Sequence, residues 1–165
     1  MQLSVRNLVV ILVVVAGASW WLLRDNSEAE VRGAHQELIR ILNKSGEGDE
    51  DISVLSARSL QGLFANSSEV LGDVEGLAGT YSPEQLLGLV VRVRSVFEVI
   101  DVSITEPVIS FPGPDDATAE FSAVLSGQGK LAGFEALSEA RTVTTRMRRT
   151  DGDWQFYEFV LVESE

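Results

Sequence analysis

The stretch TRMRRTDGDWQFYEF, Thr145 to Phe159, holds three acids (Asp151, Asp153, Glu158), three arginines and four aromatics. A carboxylate beside apolar walls can serve as a general base, and so can a histidine, whose pKa lies near neutrality. The candidates for such work are therefore these acids and His35, the only histidine of the chain. One histidine excludes a paired-histidine site. The absence of cysteine excludes disulfides, thiolate nucleophiles, thiolate metal ligands and a lipidated N-terminal cysteine. No residues have metal-ligand spacing, and GQGKLAG lacks the strand-to-helix setting of a phosphate loop, so neither metal nor cofactor is expected.

Asp151-Gly152 is a hairpin-tip pair, because aspartate beside glycine satisfies tight-turn geometry. Asp151 and Asp153 are then turn residues before they are catalysts. Continuing the ladder without interruption pairs Arg149 with Trp154, Met147 with Phe156, Thr145 with Glu158 and Val143 with Val160. That register puts Glu158 and Thr145 on the apolar face, and sets Arg146 against the Tyr157 ring as a cation-π pair on the other. A carboxylate on a buried face costs several kcal/mol unless it is paired, so Glu158 needs an ion pair, a hydroxyl or a pocket. Among the acids of the hairpin it is the one that folding does not explain.

The elements that must position these residues follow from periodicity. Val31, Ala34, Leu38 and Ile41 recur at helical spacing, with His35 at the edge of their face. A second helix carries Ile52, Leu55, Leu60 and Leu63/Phe64, capped by Asp49 or Asp51. The glycines at 72, 76 and 79 predict irregular structure over ANSSEVLGDVEGLAGTY. Ser82-Pro83-Glu84-Gln85 starts a third helix with a capping box, and Leu86, Val90, Val93 and Phe97 mark its inner face. From Val99 the period becomes two. Ile109 and Phe111 have the opposite parity to Ile100, Val102 and Ile104, which predicts a bulge near Glu106-Pro107. A second strand covers Ala117 to Leu125, and the hairpin supplies two more. The expected class is α+β, three helices packed on a curved four-stranded antiparallel sheet.

Ahead of this domain, Asn7 to Leu23 form an uncharged run between Arg6 and Arg24, with Trp20 and Trp21 where an interfacial belt would lie. Two readings compete, a membrane anchor and a cleaved signal peptide ending near Ala16-Gly17-Ala18. Trp20 to Leu23 continue the apolar run past the small residues and favour the anchor. The organisation expected is an N-terminal transmembrane helix over residues 1–24, a linker over 25–30 and a domain over 31–165. Flanking charge favours a single-pass protein of the inner membrane, contacting it through residues 7–23, with its domain facing the periplasm or cell exterior. The formal charge is -12, and Met1 to Arg24 carries two arginines and no acid, so the rest carries -14. Phosphate backbones are bound by lysine and arginine displacing counterions, so nucleic acid is discounted as a partner.

Three helices followed by antiparallel strands that end in RRTDGDWQF resemble the nuclear transport factor 2-like superfamily, which includes the SnoaL-like and ketosteroid-isomerase-like proteins. The resemblance rests on Arg149, Asp151, Gly152, Trp154 and Phe156, with DDATAEFSAVL as an earlier strand, and spans residues 31–163. It implies a cone-shaped, cystatin-like domain whose helices and sheet enclose a pocket, and dimerisation through the outer sheet face. In catalytic members of that superfamily an aspartate or histidine base works with tyrosine or acid donors. No such set maps onto this chain, and Tyr81, next to the third helix cap, packs at the mouth of the cone. The leading expectation is a membrane-anchored, non-catalytic domain binding a partner protein or a small apolar ligand outside the cytoplasm. The alternative is a small-molecule isomerase, dehydratase or hydrolase with Glu158 or His35 as general base. Glu158, Thr145, Tyr81 and His35 are the residues expected at the pocket.

Overall fold

The computed structural model describes residues 26–46, 52–73, 76–129 and 136–163. Helix α1 covers residues 26–42 and buries Val31, Ala34, His35 and Ile41, one stripe at helical spacing. Residues 26–30, expected as linker, are its first turns. They are pinned to the C-terminal hairpin by Arg149, whose Nη2 donates to Ser27 Oγ at 2.8 Å and Glu30 Oε2 at 3.1 Å. Helix α2, Val54–Gly62, is capped by Ser53, whose Oγ accepts from Ser56 N–H at 3.1 Å. Asp49 and Asp51, the expected caps, lie outside the described residues. Helix α3, Pro83–Val96, starts with the predicted capping box between Ser82 and Gln85.

Seven strands form one sheet: β1 Phe64–Gly72, β2 Gly79–Tyr81, β3 Phe97–Ile104, β4 Val108–Gly113, β5 Asp116–Gly129, β6 Leu137–Thr150 and β7 Asp153–Glu163. The order is β2-β1-β7-β6-β5-β3, with β4 also on β5, and β1 runs parallel to β7. The expected four-stranded antiparallel sheet is thus corrected to a seven-stranded mixed one. What supplies the additional strands is partly the break at Thr105-Glu106-Pro107, where a bulge within one strand was expected, which divides that edge into β3 and β4, both antiparallel to β5. The rest comes from β1 and β2, whose polar, glycine-broken sequence has little strand character of its own. β1 is held by the β7 ladder and by Ser68 Oγ donating to Phe156 O at 3.0 Å, and β2 by antiparallel pairing with β1.

The core lies between the helices and the inner face of the sheet, where Val31, Leu60, Phe64, Met147, Trp154 and Phe156 are buried together. Two buried cations clasp the helix ends. Arg94 of α3 donates through Nη1 to Ile41 O and Asn43 O, at 2.9 and 2.5 Å, and so caps the C-terminus of α1. Lys44, just past α1, donates to Arg94 O and Phe97 O at 3.1 and 2.8 Å and caps α3 in return. Val93, expected on the inner face of α3, is instead 41% exposed, because Arg94 turns inward in its place.

Among the described residues no helix is long and apolar enough to cross a membrane. The expected placement as a single-pass inner-membrane protein is corrected accordingly, since no described element supports it. The run of residues 7–23 on which it rested lies outside the described residues.

Candidate functional site

The hairpin tip is formed as expected. Asp151 and Gly152 both have positive φ, 53° and 96°, and join Thr150 to Asp153. The ladder keeps the predicted register through Met147 and Phe156, and then slips by one residue between Arg146 and Met147. Beyond that bulge Thr145 lies opposite Phe159, not Glu158, and Val143 opposite Leu161. Phe159 therefore takes the inner position and stacks on Phe156, with ring centroids 5.1 Å apart. Glu158 becomes the cross-strand partner of Arg146, with Nη1 3.0 Å from Oε1. The cation over Tyr157 is Arg148, 5.1 Å from the ring centre, in place of Arg146.

The ion pair answers what Glu158 needed, and leaves it without an apolar pocket to work in. Glu158 is only 13% exposed, but Arg146 is half exposed and water screens the pair from that side, so its contribution is about 1 kcal/mol, the upper end for surface pairs. Glu158→Gln is expected to change stability by no more than that amount and ligand binding by less than twofold. Denaturant titration and calorimetry check both, and a tenfold loss of binding would restore Glu158 to the site.

His35 and Thr145, from α1 and β6, are brought together. His35 is 2% exposed, and its Nε2 lies 2.8 Å from Thr145 Oγ1 while Nδ1 lies 2.8 Å from Val31 O. A carbonyl can only accept, so Nδ1 carries the proton and, in the neutral ring, Nε2 accepts from the Thr145 hydroxyl. Phe121 and Phe156 meet the imidazole edge to face, with centroids at 5.4 and 4.9 Å. Burial among these rings pushes the His35 pKa below its usual 6.5, outweighing the bond to Val31 O, which raises it. The hydrogen bonds fix its tautomer, and burial disfavours its charged form.

One edge of His35 reaches a cavity of about 410 Å³ between α1 and the β3–β4 interruption. Arg32, His35 and Ile39 of α1 line one side, and Ile104, Glu106 and Pro107 the other. A second hollow of about 430 Å³ lies at the hairpin tip against α1 and α2, walled by Trp154, Leu63 and Asp153. Tyr81 is in neither; its hydroxyl donates to Leu77 O at 2.8 Å and its ring packs on the core. Of the four expected pocket residues, the structure joins His35 to Thr145 and puts His35 at the first of these two cavities, which Thr145, Tyr81 and Glu158 do not line. Arg32 and Glu106, which sequence reasoning missed, stand at the rim of that cavity. Among the described residues no cluster of three metal-ligating side chains occurs.

No protein-family model matches the chain, and no curated protein does. Solved structures do. Hexachlorocyclohexane dehydrochlorinase LinA-type3 from Novosphingobium barchaimii is 20% identical with a TM-score of 0.68, over 85% of this chain and 88% of that one. A candidate scytalone dehydratase from Novosphingobium aromaticivorans is 11% identical with a TM-score of 0.69, over 87% of each chain. A nuclear transport factor 2-like superfamily protein from Salmonella enterica is 11% identical with a TM-score of 0.67, over 86% of this chain and 94% of that one. At such identities the likeness shows the fold alone.

Proposed function

The chain has the nuclear transport factor 2-like fold, and from that premise we propose that it binds a small, mostly apolar molecule in the cavity beside His35. The observation that carries this reading is the cavity itself. Its volume of about 410 Å³ falls within the range of about 300–1,000 Å³ usual for small-ligand sites. Ile39, Ile104 and Pro107 supply apolar walls, and a few polar groups, Arg32 and His35 among them, converge on it. Two of the structural neighbours carry the names of enzymes that act on small molecules, which is consistent with a ligand cavity on this frame.

A second reading makes His35 a general base for an isomerisation or elimination. What favours it is a neutral imidazole of fixed tautomer in the cavity wall, since a base must hold its lone pair at working pH. Against it, that lone pair is already occupied by the Thr145 hydroxyl, and Thr145 does not line the cavity. Binding is therefore the preferred reading.

Filling the cavity tests it. Ile104→Trp is expected to weaken binding of naphthalene-2-methanol, a neutral apolar probe, at least tenfold by isothermal titration calorimetry, without lowering the melting temperature by more than a few degrees. If the unaltered protein shows no saturable binding, or if the tryptophan variant binds equally well, the proposal fails.

A further inference from the structure

Arg32 stands on α1 at the rim of the cavity, and its contacts divide unequally. Nε and Nη2 both donate to Glu28 Oε1, at 3.2 and 2.7 Å, one turn back on the same helix. Nη1 alone reaches across the opening to Glu106 Oε1 at 3.2 Å. Glu106 belongs to the three-residue interruption between β3 and β4, and its side chain is 84% exposed. The Glu28 contact is local and double. The Glu106 contact is single, and water competes for it on every side.

An exposed ion pair of this kind is weak, because both ions are well solvated apart. The guanidinium, in contrast, is a planar cation whose N–H donors match a carboxylate. An incoming carboxylate could take the place of Glu106 on Nη1, while the body of the molecule covers Ile39 and Ile104 below. The exchange returns an 84% exposed carboxylate to water at little cost and puts in its place one that the apolar body holds against a guanidinium only 30% exposed, so the ligand's charge adds to what its apolar surface contributes. The protein as a whole, at -12, repels anions. Any preference for an anion must therefore arise at the contact and not from the long-range field.

We propose that the ligand is a small carboxylic acid with an apolar body, that Arg32 holds its carboxylate, and that Glu106 occupies that position until the ligand displaces it. This rests on the ligand-binding reading above and specifies its chemistry.

The test uses the full chain and two matched probes, 2-naphthoate and naphthalene-2-methanol, titrated calorimetrically at pH 7. The carboxylate is expected to bind at least tenfold more tightly than the alcohol. Arg32→Gln should abolish that preference. Glu106→Gln, at an exposed position where folding is not at stake, should tighten 2-naphthoate severalfold relative to the alcohol. Equal affinities for the two probes, a preference that survives Arg32→Gln, or a Glu106→Gln protein no tighter for 2-naphthoate relative to the alcohol would each overturn the assignment while cavity binding stands. Failure of both probes to bind the unaltered protein would overturn the binding reading itself.

Discussion

Phe156→Ala is expected to destabilise the protein by about 3–5 kcal/mol, the usual range for deleting a fully buried aromatic ring. Phe156 is 0% exposed and sits where three parts of the fold meet. Its ring touches His35 of α1, Phe64 of β1 and Phe159 beyond the bulge, with centroids at 4.9, 6.1 and 5.1 Å. Its backbone N–H donates to Leu63 O at 2.8 Å, and its carbonyl accepts from Ser68. The main-chain bonds survive truncation, but the ring that closes the space between them does not. Neighbours anchored in two strands and a helix cannot collapse together to refill it, which places the cost toward the upper end of the range. Urea titration measures it, and a loss under 1.5 kcal/mol would mean that the inner face repacks freely.

The second large effect concerns the buried hydrogen bond between His35 and Thr145. Thr145→Val keeps the shape and removes the donor, leaving Nε2 as a buried acceptor with no partner, so about 1–3 kcal/mol should be lost at neutral pH. The pH dependence separates this bond from simple packing. Because burial holds the folded-state pKa of His35 below 6.5, the unfolded chain takes up a proton in that window which the folded one refuses. The contribution of His35 to stability is thus fully present above about pH 6.5 and declines as pH falls toward the lowered folded-state value. His35→Leu removes this term, so the difference in stability between the unaltered protein and the variant should shrink on acidification from pH 7 to pH 5. Carboxylates common to both cancel in that comparison. A difference that stays constant or grows would show that the folded protein protonates His35 as readily as the unfolded chain.

What was legible in the sequence was what short-range chemistry decides. The Ser82-Gln85 capping box and the Asp151-Gly152 turn follow from neighbouring residues and are in place, and the parity change that predicts a bulge near Glu106-Pro107 falls where the edge divides into β3 and β4. The same logic stopped one step early at the hairpin. A parity change between Phe156 and the pair Phe159/Leu161 carries the same bulge signal as the change before Ile109, and taking it into account would have moved Glu158 off the inner face. β1 was illegible for a different reason. FANSSEVLG has only Phe64, Ser68 and Val70 turned inward, and its pairing with β7 is supplied by residues far along the chain. Arg94 was hidden by its charge, since a buried arginine is recognised only once the carbonyls that receive it are known. For the candidate site, His35 was placed correctly on α1, but its burial required the aromatic rings of β5 and β7. Arg32 and Glu106 lie in distant segments, and only the interruption that ends β3 brings them together.

The parallel pairing of β1 with β7 also bears on the order in which a ribosome delivers the chain. Helices α1, α2 and α3 and strands β1 to β6 all emerge before residues 153–163, yet β1 has its long ladder, and Leu63 its hydrogen-bond donor, only on that last strand. Until then β1 can pair with β2 alone, across three residue positions. The nascent domain must leave that flank open throughout its synthesis, and the strand that completes the lining around His35 is the same one that closes it.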